Sequence, residues 1–137
     1  MGWAADSQVI RDRFNTQWPI EQSTVPFSFA DVDYKPTPDQ PWVRLNVLTG
    51  NQRQVGLGKK RRFRRIGIVL VQIFVPAGSG DGLAKELADS VADIFMGRTV
   101  SGIIFRASDL DRIGVDGSWA LWRSTTPYQA DDCIEIS

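Results

Sequence analysis

The sequence predicts an α+β domain with a mostly antiparallel sheet and helices packed on one face. Three observations carry this. Several segments alternate apolar and polar residues at the period of a strand, while one, Leu83 to Met96, switches to helical spacing. The strand-like segments come in runs flanked by helices, which favours an antiparallel sheet over a doubly wound parallel one. The length, 137 residues with 42% hydrophobic and 23% charged, suits one domain spanning 1–137 with a core of its own.

The first element is a short amphipathic helix over Asp6 to Gln17, with Ile10 and Phe14 four apart and Pro19 expected to end it. In "STVPFSFADVDY", Val25, Phe27 and Phe29 alternate with small or polar residues, and Pro26 marks an edge strand. "DYKPTPDQP" reads as a loop. "WVRLNVLTG" puts Val43, Leu45 and Val47 on one face and Arg44 and Asn46 on the other, a strand closed by Gly50. Residues 51–65 read as a basic loop. From Ile66 to Val75 the chain is apolar on both faces apart from Gln72, as in a central strand covered on both sides. "PAGSGDG" turns into the second helix, with Asp81 as N-cap and Gly97 as terminator. Two strands follow, "GIIFRASDL" and "SWALWRSTT", with Asp116-Gly117 as a hairpin turn between them. Residues 127–137 form an acidic tail with no evident element.

Composition removes several function classes. There is no histidine and one cysteine, Cys133, so zinc centres and histidine acid/base catalysis are excluded and an internal disulfide is not available. A reducing compartment fits. No secretory signal is evident at the start, and the longest apolar run is about half of the roughly 20 residues that cross a bilayer. "GSGDG" lacks the Lys-Ser/Thr of a phosphate loop, and the pairs Asp31/Asp33 and Asp109/Asp111 read as solvated carboxylates at strand ends. No nucleophile elbow is present. The expectation is no enzyme, no metal and no cofactor.

Charge is the informative feature. Arg53, Lys59, Lys60, Arg61, Arg62, Arg64 and Arg65 are seven of 16 basic residues, and residues 51–65 hold no acid. The remainder keeps nine basic and 16 acidic residues, a formal charge of −7 in a chain that is neutral overall. A positive loop on a negative body is expected to contact nucleic acid or an acidic protein surface, unless it only keeps the adjoining apolar strand soluble. Phe63 alone interrupts the run, which argues against base stacking on single strands.

In order and spacing, "VIRDRFNTQW", "PWVRLNVLTGNQRQVGLG", "RRIGIVLVQIFVPAGSGDGLAKELADSVADIF" and "GSWALWRSTTPYQADD" resemble the phage tail-terminator-like family over residues 8–132. "QIFVPAGSG" running directly into the Ala/Leu helix is the most specific part. The resemblance implies a ring-forming α+β subunit, commonly in six copies, that caps the tail tube, halts its polymerisation and offers the surface on which the head docks. The implied partners are further copies of itself, the tail tube protein, head–tail connector proteins and double-stranded DNA passing through the lumen, with no membrane. It also implies a place in the virion, at the head-proximal end of the tail, after assembly in the host cytoplasm. Another head–tail joining protein, or a monomeric nucleic-acid-binding module using the basic loop, are the rival readings. Trp119 and Trp122 point to opposite sides of one strand and are the candidate subunit-interface residues. Six copies with every basic side chain in the channel would present 42 positive charges, against about 20 phosphates in about 35 Å of duplex. Part of each loop is therefore expected to dock on the tube or on a neighbouring subunit, flexible when free and ordered on contact.

Overall fold

The computed structural model describes residues 2–135, and the side chains of all these except 134 and 135. Two helices accompany a curled mixed sheet. In chain order the elements are α1 (Trp3–Glu21), β1 (Phe27–Phe29), β2 (Trp42–Gln54), β3 (Lys60–Pro76), α2 (Gly82–Phe95), β4 (Thr99–Val100), β5 (Ile103–Phe105), β6 (Asp109–Asp116) and β7 (Trp119–Glu135). The strand order is β1-β2-β3-β7-β5-β4, with β6 pairing the other half of the β7 edge that β5 uses. Among the described residues only β1 with β2 is parallel; short β1 sits at the sheet edge, as Pro26 foretold.

Helix α1 buries Asp6, Ile10, Phe14 and Trp18, a four-residue repeat that keeps one stripe against the core. The helix does not stop before Pro19. Proline here removes one main-chain bond of the last turn only. Tertiary contacts hold that turn instead: the Trp18 indole donates to the Val25 carbonyl at 2.9 Å, and Gln22 Nε2 donates to Ser90 Oγ on α2 at 2.8 Å. Nearby, Arg13 Nε donates to the Ile94 carbonyl at 2.7 Å, tying α1 to the end of α2. Phe14 stacks between Trp18 and Phe95, with ring centroids 5.2 and 6.1 Å away. Asp81 stands at the N-cap of α2, but its carboxylate pairs with Lys85 rather than capping a main-chain amide. Gly97, at φ 72°, follows the helix end as expected.

Strand β3 is the spine. Residues Arg65, Gly67, Val69, Val71, Ile73 and Val75 form its buried side, while Ile66, Ile68, Leu70, Gln72 and Phe74 on the other side are half-buried. The two faces are therefore unequal, against the expectation of a strand covered alike on both. Register assigns the neighbours to the same faces: Val43 and Leu45 of β2 and Trp122, Tyr128 and Ala130 of β7 lie on the buried side. Trp42, Leu48, Trp119 and Leu121 share the open side.

Three further segments differ from the sequence reading. Residues 51–65 are not one loop: β2 continues to Gln54 and β3 begins at Lys60, leaving a turn of five residues. Gly50 does not close β2. It lies where the β2–β3 register shifts between Thr49 and Gln52, and a Cβ there would lie 2.4 Å from the Ile66 carbonyl oxygen. Hence glycine permits a bulge at this point rather than ending the strand. The acidic tail, as far as Glu135, is the second half of β7 and pairs along β3 out to Lys60↔Glu135. "GIIFRASDL" is split, with Ile103–Phe105 in β5 and Asp109 onward in β6; the Asp116-Gly117 hairpin turn is present, with Gly117 at φ 60°.

Candidate interaction surface

The far ends of β2, β3 and β7 form a three-stranded blade, residues 52–54, 60–65 and 130–135. It carries six of the seven basic residues singled out from the sequence, with Lys59 in the turn at its end. The structure divides the seven into two groups.

Arg65 and Arg64 are engaged within the chain. Arg65 is 1% exposed, and its guanidinium meets the Asp6 carboxylate at 2.7 and 3.1 Å. A further hydrogen bond goes to Asp132, and the Trp3 ring lies 6.0 Å beneath the charge. Asp6 is fully buried, so the pair survives burial because each charge meets a geometrically matched partner. The Asp6 carboxylate raises the Arg65 pKa above its ordinary value, keeping the guanidinium charged. Tyr128 lies under the same knot. Burial pushes its phenol up to about 12, with the Asp6 charge adding to the effect. Its ring fills the space over Gly67, where a Cβ would come within 2.5 Å. One strand position further out, Arg64 makes a two-pronged bond to Asp131 at 2.9 and 3.1 Å. That bond holds the Asp131 carboxyl below its ordinary range.

Arg53, Lys59, Lys60, Arg61 and Arg62 are exposed and make no ion pair among the described residues. Arg53 faces Arg64 across β2–β3, so Arg53, Lys60 and Arg62 share one side of the blade, the side continuous with the half-buried face of β3. Leu57, in the turn, is 91% exposed, which puts an apolar tip on a cationic blade. Of the two tryptophans, Trp122 is 9% exposed and packs in this chain's own core. Trp119 is half-buried on the open face, opposite Pro76.

Residues the sequence reading passed over are Asp6 and the acids of the tail. The tail's signal was two adjacent acids: Asp131 lies opposite Arg64 in the β3–β7 register, and Asp132, opposite Phe63, meets Arg65 diagonally. Among the described residues no group of three or more Cys, Asp or Glu is placed to hold a metal ion, and no helix is long and apolar enough to cross a membrane.

The chain is thus a small α+β domain whose paired strand ends concentrate exposed basic side chains. The chain belongs to the phage tail terminator protein family, whose pattern matches residues 7–103. That is a family of phage structural proteins and gives this chain a structural role in the phage tail. Twenty-six chains of solved structures match it. One of them, 14% identical, superposes with a TM-score of 0.61 over 96% of this chain and 97% of its own, a likeness of fold. No curated protein matches.

Proposed function

We propose that the protein is a tail terminator in the full sense. It assembles as a ring of identical subunits, six in number, that caps the tail tube, stops its polymerisation and forms the surface on which the head docks, with DNA passing through the lumen. Membership of the terminator family is the single observation that carries this reading. Two features support it. A ring needs a heterologous interface made of two different patches on each subunit, and each subunit here offers a half-open apolar sheet face and a strongly charged blade. The internal pairing of Arg64 and Arg65 also reduces the charge available to the channel. Of the seven basic residues, five make no ion pair among the described residues, about 30 for six copies, much closer to the about 20 phosphates of the duplex inside.

The test is a tube-length assay. Purified tube protein is polymerised with and without this chain, and tube lengths are scored while light scattering reports the mass of the chain alone. Short, uniformly capped tubes are the expected result. Unaltered tube growth at saturating protein would sink the reading and leave a head–tail joining role. A strict monomer that binds duplex DNA with steep salt dependence would favour the nucleic-acid module instead.

A further inference from the structure

We infer that the blade of one subunit docks on the exposed acidic stripe of α2 of a second copy. This rests on the self-assembling reading above and names the contact that would build it. Glu86, Asp89 and Asp93 on α2 and Met96 at its C-cap recur at intervals of three or four residues, which places them along one face of the helix. All four are exposed, Met96 by 47%. None of the three acids is in an ion pair among the described residues: Lys85 is taken by Asp81, and Arg98 bonds the Asp93 main-chain carbonyl rather than its carboxylate. The stripe therefore runs from acid at Glu86 to apolar at Met96, over about 15 Å at 1.5 Å per residue.

The open side of the blade has the complementary order. Lys60, Arg62 and Arg53 are followed along the same face by Arg64, already paired with Asp131, and then by Ile66, which is half-buried. Lys60 to Ile66 is about 20 Å at strand rise, and the reach of the lysine and arginine side chains covers the difference. Both surfaces are left uncovered by their own chain, and both pass from charge to apolar in the same direction. The β6 acids fit less well, since Asp111 is engaged by Arg123 and Arg112 interrupts the run. Because blade and helix are different patches, the contact is heterologous, so it can repeat from copy to copy.

The experiment is a charge swap read by sedimentation equilibrium at physiological salt, with circular dichroism to verify folding. One variant carries Arg53→Glu, Lys60→Glu and Arg62→Glu, the other Glu86→Lys, Asp89→Lys and Asp93→Lys. Each alone should self-associate at least tenfold more weakly than the native chain. An equimolar mixture should recover association, because reversed blades meet reversed helices while native blades meet native helices. Should either variant misfold, Arg53→Gln with Lys60→Gln and Arg62→Gln replaces it, with weakened association that no longer responds to salt. Native-like association of both variants, or a mixture that fails to recover, would overturn the docking while leaving the ring open to another interface. A native chain that stays monomeric at all concentrations would overturn both. Variants with unchanged association but lost binding to duplex DNA would overturn it in favour of a nucleic-acid surface.

Discussion

The two halves of β3 are one continuous strand built on opposite principles. From Ile66 to Val75 the strand is held by burial: Val69, Val71, Ile73 and Val75 are all fully buried. From Lys60 to Arg65 it is held by ladder pairing with β7 throughout and with β2 from Phe63 to Arg65, and by two arginines matched to carboxylates of β7 and α1. The apolar half gains stability from removing surface from water. The basic half has little to bury, so its order depends on specific partners. A strand can therefore run past its hydrophobic segment when a neighbour supplies opposite charge in register.

The largest effect is expected where the halves meet. Arg65→Leu leaves Asp6 buried without a partner and should cost about 3–5 kcal/mol in urea denaturation, as for other broken buried pairs. Pairing it with Asp6→Leu should recover much of that loss, because no buried charge is then left uncompensated; a double variant as unstable as the single one would contradict the proposed cause. Within the apolar half, Ile73→Ala opens a cavity in a fully buried site and should cost about 2–5 kcal/mol. Ile68→Ala on the open face should cost clearly less in the same titration, and equal costs would mean that both faces are in fact closed. Gly67→Ala forces a methyl against the Tyr128 ring and should cost about 1–3 kcal/mol in thermal unfolding.

The smallest effect concerns pH. Arg64 lowers the Asp131 pKa in the folded chain, so the unfolded chain binds the proton more readily. The contribution of this pair is then fully present above the ordinary carboxylate range, about pH 4, and is lost as pH falls through the lowered value. Native and Asp131→Asn proteins should differ slightly in stability at neutral pH and converge in acid. A difference that grows as pH falls would have the wrong sign.

The sequence exposes what burial dictates and hides what pairing dictates. The stripe of α1, the alternation of β2, the apolar run of β3 and the helical period of α2 are all hydrophobic patterns, and each falls within its element, although α1, β2 and β3 run beyond the pattern. The blade has no such pattern. Lys59–Arg65 reads as a loop because nothing local distinguishes a solvated charge run from a strand whose partners lie about 70 residues later, at Asp131 and Asp132. Pro19 misled for a related reason: the bonds of Trp18 and Gln22 that hold the last turn of α1 are tertiary. Trp122 shows the same limit, since its spacing from Trp119 fixed opposite faces but not which face was already closed by the chain itself.

The register of β3 with β7 carries a consequence for how the chain folds. Pairing begins nearest in sequence at Pro76↔Trp119 and ends farthest apart at Lys60↔Glu135. The entropy cost of closing a loop rises with its length, so zippering from the near end outward is the favoured course. On this hypothesis the blade is the last part of the strand pair to close and the first to fray. Amide hydrogen exchange along β3 should then quicken from Val75 toward Lys60, and uniform protection over the whole strand would show that the blade closes together with the core.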